Sequence, residues 1–100
     1  MQMQAGGVHS IYDEIGTQGE AWQELISLIA PRSAEIRAFF DATEEVVFGG
    51  CGSGLNAALC GAPTFQTVTG TSSRAVAAAE IYQFPDSVVV RGRKTVGVLL

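Results

Sequence analysis

Apolar residues recur at helical spacing in the first third of the chain. Ile11, Ile15, Trp22, Leu25, Ile26 and Ile29 share one helix face. Ser10-Ile11-Tyr12-Asp13 has the form of a capping box, with Asp in place of the usual Glu or Gln. Gly16 and Gly19 weaken this helix, so it is expected to bend or start late. Pro31 opens a second helix at its first turn, with Ile36, Phe39 and Phe40 as its apolar stripe. Most of these residues are expected to be core, and Trp22 core or interface. The period then shortens. Val46-Val47-Phe48 has the look of a strand buried on both faces, predicted over residues 45–50. Ser53 to Thr69 reads as a small-residue helix carrying Leu55, Leu59, Phe65 and Val68, interrupted by Pro63 and stopped by Gly70. Ala75–Ala79 favours helix by composition. Its place between a glycine stop and the next turn argues instead for a second strand, over residues 75–80. Ile81–Ser87 is a turn or short helix broken by Pro85, Val88–Val90 a strand or the approach to one, and Thr95–Leu100 a buried strand.

A strand, a crossover helix and further buried strands predict an α/β fold: a three-layer α/β/α (Rossmann- or flavodoxin-like) parallel sheet preceded by two helices. The organisation expected is a leader at residues 1–9, a helical segment at 10–44, and the first part of the α/β domain at 45–100. The last strand has no closing helix after it, so the domain is expected to be truncated at its C-terminus.

Composition narrows the function classes. One hundred residues allow one small domain, and 47% hydrophobic against 16% charged residues is enough to build a core. A net charge of −4 argues against nucleic acid or an anionic membrane as partner. The single basic cluster, Arg91-Gly92-Arg93-Lys94, lacks interleaved aromatics and reads as a solvated loop. Cys51 and Cys60, nine apart and with only His9 elsewhere, make neither a disulfide framework nor a zinc site, so no metal is expected. Reduced cysteines, no signal peptide and no membrane-length apolar run suggest a cytoplasmic protein. No histidine follows Cys51 to act as its base, so no catalytic thiol is assigned.

The candidate chemistry lies in Gly49-Gly50-Cys51-Gly52-Ser53-Gly54, between the first strand and the long helix. A glycine-rich strand-to-helix turn presents backbone N–H groups at a positive helix end and suits an anion. Cys51, Gly52, Ser53 and Gly54 are the candidate binding residues. Ser53 can serve equally as ligand contact and as N-cap of its own helix. Asn56 and Glu80 are secondary candidates; Asn56 is expected to face solvent. Glu80, at the end of the second strand, is expected to hold a loop rather than a ligand. Glu14 and Gln18 share a helix face at i and i+4, where packing or subunit contacts are the expected role. Gly52-Ser53-Gly54-Leu55-Asn56-Ala57 also fits G-x-G-x-x-A, with Glu80 as ribose-binding acid, so a dinucleotide-binding fragment is the alternative. Two helices before the first strand are foreign to that motif. No Lys-Ser or Lys-Thr pair follows the glycines, which rejects a P-loop.

Three segments in order resemble the SIS (sugar isomerase) family of phosphosugar-binding domains. The closest similarity is to the isomerising domain of glutamine–fructose-6-phosphate transaminase and related ketose/aldose isomerases. Glu14-Ile15-Gly16-Thr17-Gln18 resembles the family's Glu-Ile-x-x-Gln-Pro entry motif, Gly50-Cys51-Gly52-Ser53-Gly54 its Gly-Cys-Gly-Thr-Ser loop after the first strand, and Ala79-Glu80-Ile81 its Ser-Glu-Phe motif at the end of the second strand. Gly19 stands where the first motif has proline, Gly54 where the second carries a hydroxyl, and Ile81 where the third has phenylalanine. The resemblance implies a phosphorylated sugar, such as a hexose 6-phosphate, bound without a cofactor. It also implies a homodimer or a second SIS domain as partner. The family's Ser-x-Ser-Gly-x-Thr phosphate loop and its isomerase acid/base residues lie beyond the matched segments, so the chain alone is not expected to isomerise. A non-catalytic sugar-phosphate sensor is the third possibility.

Overall fold

The structure is a computed structural model that describes residues 10–100. The expected leader at residues 1–9 lies outside the described residues. The chain divides after Phe39 into two compact units.

The first unit is helical. Helix α1 spans Ile11–Gly16, α2 Gln18–Ile29 and α3 Ser33–Phe39, with a 3-10 turn at Ala30–Arg32 before α3. Ser10 caps α1 as expected: its hydroxyl accepts the Asp13 N–H at 3.1 Å. The break between α1 and α2 falls at Thr17, between the two glycines that weaken this stretch. Pro31 sits in the 3-10 turn, one step earlier than the helix it was expected to open. No residue of these helices is buried. The expected core face is therefore open: Trp22 is 61% exposed and Ile26 60%.

The second unit holds strands β1 (Glu45–Gly50), β2 (Ser72–Ala77) and β3 (Thr95–Leu99), with helix α4 (Ser53–Thr69) and short helices α5 (Ala78–Gln83) and α6 (Pro85–Val88). The strands form one parallel sheet in the order β2-β1-β3. Its α/β class and parallel sense agree with the sequence reading. Every residue of β1 is buried, as its apolar run predicts. Val46 and Phe48 face Ala58 and Ala62 of α4, with Phe40, Phe65, Ala75 and Val98 packed around them. Phe48 and Phe65 meet edge-on at a centroid distance of 5.7 Å. On the other face Val47 packs with Val76, Val88 and Ile81. Helix α4 runs through Pro63 without a break and ends at Gly70, whose φ of 75° caps it.

Two boundaries differ from the sequence reading. Strand β2 begins at Ser72 and ends at Ala77, so residues 78–80 open a helix instead of completing a strand. Polar side chains at the front of β2 disguised it. Two of them are satisfied: the Ser73 hydroxyl donates to the Ala62 carbonyl at 2.6 Å and Arg74 pairs with Glu45. The Val88–Val90 run is the approach to β3, with Val88 closing α6 and Val89 extended.

Candidate functional site

Parallel strands end together, and β1 is the middle one. Gly49 and Gly50 pair with Val76 and Ala77 of β2, while Gly49 also pairs with Leu99 of β3. The chain leaves β1 toward β2 on one side and later returns to β3 on the other. The turn at residues 51–54 thus lies outside the carboxyl end of the central strand, where the strand order reverses, the usual ligand position in open α/β sheets.

Backbone packing explains part of the glycine pattern. A Cβ on Gly50 would stand 2.5 Å from the Gly54 carbonyl carbon and 2.8 Å from the Leu55 nitrogen. Gly54 meets Leu100 as closely: a Cβ there would lie 2.7 Å from the Leu100 carbonyl oxygen. The Leu100 N–H in turn donates to the Gly49 carbonyl at 2.8 Å. These two glycines let the turn fold against its own helix and against the end of β3. Gly52 is different. Its φ of 56° and ψ of −127° belong to a region that side chains avoid, and a Cβ there would meet nothing within 4 Å. The surface above Gly52 is open.

Gly52, rather than Ser53, is the N-cap of α4, so Ser53 is the first helical residue. Gly52 has no side chain to cap the helix, and Ser53, inside the first turn, is past the cap position. The N–H groups of Gly54, Leu55 and Asn56 turn back to Cys51 and Gly52 carbonyls at 2.9, 3.1 and 3.2 Å. Among the described residues, the Ser53 N–H has no such acceptor. The turn is left with N–H groups on Cys51, Gly52 and Ser53 that have no backbone acceptor among the described residues, together with the Ser53 hydroxyl. Cys51 is exposed with a free thiol, as is Cys60. Asn56 is exposed, as expected.

Glu80 does not end a strand. It lies in the first turn of α5, exposed, three residues beyond β2. Glu14 and Gln18 sit on either side of the break at Thr17, so the single helix face expected of them is interrupted.

Sequence reasoning missed a charged cluster at the opposite end of the sheet. Glu45 opens β1 and is 5% exposed. Its Oε2 accepts from Arg74 Nε at 2.9 Å, and Arg93 Nη1 approaches Oε1 at 3.6 Å. Arg74 also donates to the Val88 carbonyl. Lys94 accepts the Glu44 N–H at 2.9 Å and donates to the Asp41 carbonyl. The 91–94 loop is exposed, as expected, yet it is tied to the start of β1. The available signal was an acid heading an apolar run, with arginines at the starts of the flanking strands.

An apolar hollow of about 270 Å³ lies on the second sheet face, lined by Val47, Ile81, Val88, Val89, Thr95, Gly97 and Leu99. None of residues 51–54 lines it. No helix among the described residues is long and apolar enough to cross a membrane. Compared with protein-family models, curated proteins and solved structures, the chain matches none.

Proposed function

We propose that the turn at Cys51–Gly54 binds the phosphate of a phosphorylated sugar, in a domain of SIS type with a three-layer α/β/α arrangement. The observation that carries this reading is the position of Ser53. Its free N–H and hydroxyl stand together at the positive end of a 17-residue helix, outside the central strand, next to a bare Gly52 backbone. The ordered likeness of three segments to the SIS family selects a sugar phosphate from the anions such a turn could take. Glu80 lies on α5, three residues beyond β2, where neither a ribose acid nor the third SIS-like segment was expected, so it favours neither reading. The protein is read as a cytoplasmic binding module, and isomerisation by this chain is not part of the proposal.

The test is a titration of the chain followed by amide NMR. Fructose 6-phosphate or glucose 6-phosphate should shift the Gly52 and Ser53 amides saturably, with a Kd at or below about 1 mM. NAD should give no saturable shift. Ser53→Asp places a negative charge where it suits the helix but repels phosphate, so it should abolish the sugar-phosphate shift while leaving the fold at least as stable. Saturable binding of NAD, or sugar-phosphate binding indifferent to Ser53→Asp, overturns the assignment.

A further inference from the structure

One turn of the sheet unit holds two groups in unfavourable states at once. Phe40 packs against the core between α4 and β1, its ring centroid 5.6 Å from that of Phe65. The chain must then turn to enter β1, and Ala42 takes a φ of 61°, the one positive φ outside glycine among the described residues. A Cβ disfavours that backbone. Beside it the Thr43 hydroxyl oxygen is buried and makes no hydrogen bond among the described residues. A group so placed has lost its water without a replacement. Neither state persists unless the surroundings impose it. Lys94 imposes it. Its ammonium donates to the Asp41 carbonyl, just before Ala42. Its carbonyl accepts the Glu44 N–H at 2.9 Å and the Glu45 N–H at 3.3 Å, and its own N–H donates to Glu44 Oε1 at 2.9 Å. A residue fifty positions beyond Glu44 therefore grips the chain on both sides of the strained one.

We propose that residues 40–44 form a sprung clasp, which Lys94 holds shut and which opens without unfolding the sheet. Opening lets Ala42 return to an ordinary φ and gives the Thr43 hydroxyl to water, so both penalties vanish in the open form. The Lys94 grip and the burial of the Phe40 ring oppose it. The two forms therefore lie closer in free energy than those of an unstrained turn, which is the condition for a population shift. Strand β1 stays in place on opening, because from Val46 onward it is buried and paired on both sides. The consequence falls on the connection between the two units. They divide after Phe39, so residues 40–44 belong to the sheet unit only while the clasp is shut. Open, they become slack in that connection, and Phe40 leaves Phe65. Lys94 is itself exposed, so its ammonium can exchange the Asp41 carbonyl for water or an anion.

Amide hydrogen exchange on the full chain tests this residue by residue. The reporters are the Thr43 N–H, bonded to the Phe40 carbonyl at 3.1 Å, and the Glu44 N–H. Ala42→Gly is the sharpest variant, because glycine ordinarily loosens a chain and here should tighten it. Exchange at both reporters should slow by roughly two- to five-fold. Lys94→Met keeps the stem and removes the ammonium. Both reporters should then exchange faster, by about five-fold or more, while Phe48 in the middle of β1 keeps its rate. Adding Ala42→Gly to Lys94→Met should recover part of the lost protection. Faster exchange at the reporters in Ala42→Gly, or a Lys94→Met effect that Phe48 shares in full, overturns the proposal.

Discussion

The helical unit and the sheet unit are both rich in apolar residues, and they use them in opposite ways. Helices α1–α3 carry large side chains and bury none of them. The sheet unit builds its core from small ones: Val46 and Ala58 are wholly buried, Ala62 nearly so, with a single buried ring, Phe48, between them. Periodicity marks the face of a helix that can be buried, but not what covers it; three short helices are too little chain to close a core alone. The sheet unit closes because small residues and glycines let α4 approach β1. The largest expected effect follows. Gly50→Ala forces a Cβ into backbone atoms at 2.5 Å, with no flexible neighbour to yield, and should cost more than about 3 kcal/mol, enough to unfold a small unit. Gly19→Ala meets nothing within 4 Å in α2 and should instead raise helicity, by roughly 0.5 kcal/mol. Thermal melts followed by circular dichroism separate the two, and a benign Gly50→Ala breaks the comparison.

Truncating one aromatic in each unit sharpens it. Phe48→Ala removes a ring that is 9% exposed and packed on Phe65, and should cost about 3 kcal/mol through the cavity it leaves. Trp22→Ala removes a larger ring that is 61% exposed and should change stability by less than about 0.5 kcal/mol. Urea melts of both variants decide the matter. A large loss for Trp22→Ala would mean that the helical face is covered in solution.

The sequence was most legible where one signal had no competitor. Strand β1 and helix α4 fall where the apolar run, the glycine turn and Gly70 place them. It misled where tertiary partners override composition. Ser72, Ser73 and Arg74 precede the strand expected at 75–80, yet they belong to β2, where α4 satisfies the Ser73 groups and Glu45 pairs with Arg74. Residues 78–80 read as the end of a strand by position but open the helix that the alanines favour, and Ile81–Gln83 continue it as the short helix expected there. At the turn, Ser53 has cap chemistry, but the bend requires positive φ one residue earlier, so Gly52 takes the cap. The turn itself was therefore placed correctly between β1 and α4, with the cap at Gly52 instead of Ser53.

The third effect probes the charged end of the sheet, for which the helical unit has an exposed counterpart. Glu45→Gln keeps the shape and removes the charge that Arg74 and Arg93 share. Both arginines are partly exposed, so water takes over much of their solvation. The expected loss is about 1–2 kcal/mol, below that of a fully buried pair. Chemical-shift changes should concentrate in residues 88–94, which Arg74 and Arg93 tie to β1. Changes confined to β1 would show that the cluster does not hold the loop.

The smallest effect belongs to that exposed counterpart, Arg32 and Glu35. Arg32 Nε lies 2.9 Å from Glu35 Oε1, and its Nη2 reaches Oε2 at the same distance. The guanidinium hydrogen bond holds the Glu35 carboxyl below its ordinary value, and the same bond raises Arg32, which stays charged throughout. A carboxyl depressed on folding adds stability that is fully present above its unfolded value and is lost as pH falls through the folded one. Acidification through the carboxylate range should therefore fray α3 at its first turn, slightly, because the pair is open to solvent and screened by salt. NMR titration of the Glu35 side chain checks it. The midpoint should lie below that of Glu35 in an Arg32→Gln variant, and the difference should shrink in high salt. Equal midpoints would mean that this bidentate pair does not persist in water.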